Sequence, residues 1–254
     1  MRFYVLTRSS FAPEVDITEN RHRLLLLEGI TAPCMAAQTD RDITWLVMVN
    51  LADPLLEQRR AAFESSGLRT ICASSEDMAV RGWADAPWGP WARHIEWDGP
   101  TLTFRLDDDD GLTPGALASV RAFANDWQAR QRGMQRTVIT LPVGYRIWQK
   151  MSERVWLKRP MSSALYAPPG DQATICDVSH LAIDILAPIR EATQAPSWIW
   201  VRHSMTRSTY LGSMRDKGRP QAPRRTTDAL RAMFPVDWRL IEGMRAVQPR
   251  HRML

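Results

Sequence analysis

Apolar residues fall in short runs whose spacing changes along the chain. Residues 2–7 form a β-rich run, followed by a loop over 8–13 and a helix-like stretch over 17–29. Residues 43–50 are almost continuously apolar behind Thr39-Asp40-Arg41-Asp42, the pattern of a strand buried on both faces. Asp53-Pro54 then supplies a cap and a first-turn proline, with Leu55, Leu56, Arg59, Ala62 and Phe63 at helical spacing, Gly67 as a stop and 68–73 as the next strand. Strands alternating with helices predict βαβ units and a largely parallel sheet.

Residues 76–99 break this rhythm, with Trp83, Trp88, Trp91 and Trp97 set among prolines and glycines as anchors of a long loop. Leu102, Phe104 and Leu106 then alternate with Thr101, Thr103 and Arg105, a period-two strand that runs into Asp107-Asp108-Asp109-Asp110. Thr113-Pro114 opens a helix whose buried stripe is Leu117, Val120, Phe123, Ala124 and Trp127. Short strands follow at 137–141, 145–149, 155–158 and 163–166, and this half reads as antiparallel. A helix over 181–193, a strand over 197–202 and a helical pair within 226–247 complete the reading.

The length of 254 residues favours one main domain, and 44% hydrophobic with 24% charged residues is ordinary globular composition. No apolar run reaches the ~18–20 residues of a spanning helix, and the first residues read as a strand, so a cytoplasmic protein is expected. Three widely spaced cysteines suggest neither a disulfide framework nor a thiolate zinc site. From Arg202 onward there are 12 Lys+Arg against 4 Asp+Glu, leaving 21 against 24 in the rest. A basic extension over 206–254 attracts anions, including an anionic membrane surface to which the protein would be peripheral. Nucleic acid is the weaker partner, because no nucleic-acid motif accompanies the basic text.

The acidic tetrad carries the most chemistry. Two charges ~5 Å apart at an effective dielectric of ~20 repel by roughly 3 kcal/mol, so the cluster is solvated, protonated or neutralised by a cation. Oxygen-only ligands suit magnesium or manganese, with substrate phosphates completing the shell. An EF-hand fails, since Leu112 and Ala118 stand where its Gly and Glu belong. Asp108-Asp109-Asp110-Gly111 also fits the DxDG pattern of aspartyl-phosphate phosphatases, in which the first Asp attacks phosphorus.

Arg2-Phe3, Leu6-Thr7-Arg8, residues 38–47 and residues 105–112, together with Val178-Ser179-His180 and Trp198-Ile199-Trp200-Val201-Arg202-His203, resemble the rhamnosyl transferase family of bacterial GT-A-type glycosyltransferases. The resemblance implies a GT-A-like α/β domain over 1–205, a mixed sheet flanked by helices, with the basic extension following it. It implies a metal-dependent transfer of a sugar, rhamnose by the family's label, from a nucleotide-diphosphate donor to a glycan or other hydroxyl acceptor. Asp107-Asp108-Asp109 would be the DxD motif, with Asp107, Asp109, Asp110 and His203 at the magnesium or manganese. Thr7, Arg8, Asn50, Asp107 and Asp108 would lie by the nucleotide. No Glu-Asp pair follows the tetrad to serve as base, which leaves Asp171, Asp177 and His180 as the candidates. The rivals are the phosphatase and a non-enzymatic module that binds anions through the basic extension.

Overall fold

The computed structural model describes residues 1–9, 17–74, 93–130, 134–160, 162–202 and 224–244. The chain opens with β1 (Arg2–Arg8), helix α1 (Ile17–Leu26), a π-helical turn (Leu27–Thr31) and α2 (Ala32–Ala36). β2 (Thr44–Val49), α3 (Leu56–Glu64) and β3 (Arg69–Ser74) follow. Next come β4 (Thr101–Arg105), β5 (Asp110–Leu112) and α4 (Ala116–Arg130). Strands β6 (Thr137–Thr140), β7 (Val143–Trp148), β8 (Met151–Trp156) and β9 (Ser163–Ala167) precede β10 (Ile189–Glu191) and β11 (Trp198–Val201). β12 (Arg224–Arg225), α5 (Asp228–Met233) and α6 (Trp238–Gly243) come last.

A seven-stranded mixed sheet has the order β10-β6-β9-β4-β1-β2-β3. β1 to β4 are mutually parallel where they pair, and β9 runs antiparallel between β4 and β6. The chain steps from β1 outward to β2 and β3, then returns to the other side of β1 as β4. That reversal opens a crevice beyond the carboxyl ends of β1 and β4, where Arg8, Ser9 and the tetrad emerge. One face of the sheet packs Phe3, Val5, Trp45, Val47, Phe63, Phe104, Leu117 and Val120 into the main core. The other face packs Tyr4, Leu6, Leu46, Met48 and Leu165 beneath Ile175, Cys176 and Ile183. Cover on both faces explains the unbroken apolar text of β2. β4 is wholly buried too; its threonine face lies under the segment of Ile175, where the Thr103 hydroxyl accepts from Ile175 N at 2.9 Å.

The second sheet, β12-β8-β7-β11-β5, packs Ile147, Ile199 and Val201 against Leu26, Ile30, Leu230, Phe234 and Ile241. The described part of the C-terminal extension, 224–244, therefore shares a core with the body on both sides of residue 205. The helical stretch expected over 17–29 runs on through the π-helical turn into α2 rather than ending at Gly29. A Cβ there would come within 2.4 Å of the Leu240 side chain, and Gly29 O accepts from Asp237 N at 2.7 Å, so the glycine makes room for α6. The helix expected over 181–193 is also different: a 3₁₀ segment covers His180–Ile185, and β10 follows. Pro188 cannot donate within a helix, and its carbonyl accepts from Val138 N and the Thr137 hydroxyl, tying this segment to β6. Among the described residues no helix is long and apolar enough to cross a membrane.

Candidate functional site

The four carboxylates separate in alternation as the chain leaves β4. Asp107 and Asp109 are half-buried, whereas Asp108 and Asp110 are buried. Asp108 turns beneath α1 and α3. Its Oδ2 accepts from the Ser9 hydroxyl at 2.7 Å and lies 3.9 Å from Arg59 Nη1, and its Oδ1 accepts from Arg23. Arg59 also donates to Asp53 at 2.7 Å, to Ser9 Oγ at 3.0 Å and to Asn20 O at 2.9 Å. Burial pushes the Asp108 carboxyl upward and Arg23 opposes it; the Asp108 charge in turn raises the Arg23 guanidinium. This is a closed network of charges held by two helices and two strand ends. The phosphatase reading needs Asp108 as nucleophile, and a carboxylate with no exposed surface and both oxygens engaged does not fit that part.

Asp107 belongs to the opposite face of the sheet, with Arg105 Nε 3.6 Å from its Oδ1. Arg8 shares this neighbourhood. Burial, then the charge of Arg105, lowers its pKa, while Asp107 raises it. Asp110 begins β5. Its backbone carbonyl accepts from the Thr31 hydroxyl at 2.9 Å, but Oδ1 is buried with no hydrogen-bond partner among the described residues. Burial and the charges of Asp109, Asp107 and Asp108 push its carboxyl well above the ordinary value. An orphaned acidic oxygen among three neighbouring carboxylates is a donor set of the right chemistry for a hard cation. Among the described residues no three His, Cys, Asp or Glu side chains gather as a complete metal-ligand set.

The other expected site residues scatter. Arg8 and Asn50 end β1 and β2 at the crevice, and Asn50 Oδ1 caps its own turn by accepting from Ala52 N at 2.9 Å. Thr7 is fully buried and its hydroxyl accepts from Trp45 Nε1 at 2.9 Å, so it supports the sheet from inside. Asp171 is not beside the tetrad. It follows β9, which pairs Ala167 with Thr101 at the far end of β4, and it is held there by Arg136. Both Asp177 oxygens accept from Thr174, at 2.9 Å from N and 2.6 Å from Oγ1, and burial raises its pKa. His180 starts the 3₁₀ segment. His203, Trp83, Trp88 and Trp91 lie outside the described residues, as do 206–223 and 245–254 of the extension.

Sequence reasoning missed the basic half of the site. Arg59 stands within an apolar stripe, and a guanidinium at a core position signals a buried carboxylate partner. Arg23, Ser9 and Arg105 carried no comparable signal. The second sheet adds a row that only register reveals: Asp110 pairs with Trp200, Trp200 with Arg146, and Arg146 with Glu153. Arg146 and Glu153 form a buried ion pair, and the Arg202 guanidinium lies 4.8 Å from the Trp200 ring. Asp110, Trp200, Arg146 and Glu153 thus share one face of this sheet in a single cross-strand row.

The sheet is mixed, flanked by helices, and reverses its strand order at the acidic strand ends. Residues 18–213 match the family described as putative rhamnosyl transferase, and the chain belongs to that family. Among solved structures it is similar to S. aureus TarS 1-349, at 9% identity and TM-score 0.46 over 78% of this chain. It is likewise similar to a second S. aureus TarS structure, at 12% identity and TM-score 0.47 over 78% of this chain. The chain spans 60% and 36% of those two chains. UDP-glucose pyrophosphorylase complexed with UDP-glucose is similar at 10% identity and TM-score 0.31, over 65% of this chain and 76% of that one. No curated protein matches it.

Proposed function

We propose that the chain transfers a sugar from a nucleotide-diphosphate donor, rhamnose being the sugar of its family's description, to a hydroxyl acceptor, with a magnesium or manganese ion at Asp107, Asp109 and Asp110. The observation that carries this reading is the orphaned Asp110 carboxylate oxygen among repelling carboxylates at the carboxyl ends of β1 and β4. When bound, the cation supplies positive charge to the departing diphosphate. The protein's own part is to hold Asp107 against Arg105, to place Arg8 at the same strand ends, and to anchor the Asp107–Asp110 turn through Asp108. Two half-buried carboxylates leave room for phosphate oxygens, as a magnesium site that shares its ion with substrate requires.

The test is protection of the full chain against thermal unfolding by a panel of nucleotide sugars, each with and without magnesium or manganese, followed by turnover of the one that protects. Asp109→Asn keeps shape and one acceptor oxygen but loses the charge. It should leave the metal-free transition unchanged or raised, abolish metal-dependent protection and lower turnover ~100–1,000-fold. Protection and turnover that survive in Asp109→Asn would sink the assignment.

A further inference from the structure

A separate cavity of about 360 Å³ lies at the outer edge of the second sheet, lined by Lys150, Arg225, Thr226, Arg231 and Glu242. That volume is within the ~300–1,000 Å³ of ligand clefts. Three cations face it against one carboxylate, and Glu242 is engaged by Arg231. Two further donors are buried with no hydrogen-bond partner among the described residues: Arg231 Nε and the Thr226 hydroxyl. The walls are fixed. Thr226 N donates to Lys150 O at 2.8 Å, β12 pairs Arg225 with Met151, and Leu230 and Ile241 anchor the two short helices in the core. In the strand order this edge is four strand spacings from β5 and the tetrad, roughly 19 Å at the usual sheet spacing.

We infer that this cavity binds a phosphate group. Excess positive charge alone would suit any anion, but ammonium and guanidinium donors from three separate residues line the cavity, and these call for an anion with several acceptor oxygens. A flat carboxylate satisfies fewer of them than a tetrahedral phosphate. The phosphate arrives either on a soluble phosphomonoester or on the headgroup of an anionic lipid. Binding does not depend on the transferase reading, because none of the lining residues belongs to the crevice.

The experiment titrates the full chain with inorganic phosphate, reading the unfolding transition and side-chain resonances of its arginines. Phosphate should bind. The exposed pair Lys150→Glu with Arg225→Glu should weaken it at least about tenfold while leaving the phosphate-free transition in place, and Glu242→Gln should strengthen it several-fold. Asp109→Asn should bind phosphate as the natural chain does. Glycerol 3-phosphate and phosphatidylcholine vesicles with or without phosphatidic acid then distinguish the two sources; binding of either through Lys150 and Arg225 supports the inference. No binding, or binding unchanged in the Lys150/Arg225 double variant, overturns it. Phosphate affinity lost in Asp109→Asn instead would place the anion in the donor crevice and overturn it while leaving the transferase reading intact.

Discussion

Asp108 and Asp109 are neighbours in the chain and occupy opposite environments. Asp108 is sealed under α1 and α3 among Arg23, Arg59, Ser9 and Asp53, while Asp109 stays half-buried on the crevice side of the turn. The alternation of an extended chain produces this split, since successive side chains leave the backbone in opposite directions. Four identical residues therefore do two jobs. Asp108 fixes the turn in place, while Asp107 and Asp109 keep surface at the crevice.

The strongest way to break this comparison is to exchange the roles by mutation. Asp108→Asn leaves Arg59 with Asp53 but removes the charge that faces Arg23. Loss of one partner from a buried pair destabilises by about 3 kcal/mol, less here to the extent that Arg23 reaches water. Denaturant unfolding should show that loss. Asp109→Asn, by contrast, should lose no stability in the absence of metal. Equal effects of the two substitutions on stability would mean that the tetrad is a single solvated turn.

Much of the fold was legible because its sequence signals are local. Continuous apolar text marked β2, Asp53-Pro54 marked a helix that in fact begins just beyond them, at Leu56, without a side-chain cap, and a helical stripe marked α4. The tetrad was legible as chemistry because four adjacent charges need an explanation at any location. What escaped was long-range. Nothing near Gly29 says that Leu240 will pack on it, and nothing near Asp108 names Arg23 or Arg59 as its partners. The same holds for Asp171, which looked suitable as a base by its order in the chain. The antiparallel direction of β9 carries it to the wrong end of the sheet. The antiparallel character of this half was legible, but the pairing of β9 with β4 is set by tertiary contact, so spacing alone could not place the loop.

A smaller effect separates Asp110 from the other inner carboxylate. Among the described residues Asp110 has no ion pair like that of Asp108 with Arg23; burial and its acidic neighbours push its carboxyl well above the ordinary 3.8, and the charge of Arg105 opposes them. A carboxyl raised in the folded state stabilises the fold fully below its unfolded pKa, and that contribution is lost as pH rises through the folded pKa. The metal-free chain should therefore lose stability with rising pH above about 4, by up to about 1.4 kcal/mol for each unit within that window. In Asp110→Asn the slope should flatten, and the variant should be the more stable protein at neutral pH. Thermal unfolding across pH without divalent cations gives the comparison. A natural chain and variant with identical profiles would show that Asp110 is not the repelled carboxylate of the turn.

The smallest expected effect concerns the far end of the same sheet. Asp171 meets Arg136 in a two-pronged ion pair and also accepts from Ala173 N at 3.2 Å. The guanidinium is about two-fifths exposed, so water and salt screen the pair and its net worth is roughly 0–1 kcal/mol. β4 separates this loop from the crevice: Thr101, its first residue, pairs with Ala167, and the tetrad leaves beyond Arg105, its last. Five residues of extended strand cover about 15 Å, too far for a carboxylate to take a proton from an acceptor held at the tetrad. Asp171→Asn should lower stability by no more than that fraction of a kcal/mol, less at high salt, and leave both turnover and its pH profile unchanged. A fall in turnover without a change in donor protection would bring Asp171 back as a base, and would require the loop after β9 to reach the crevice in a way that its pairing with β4 opposes.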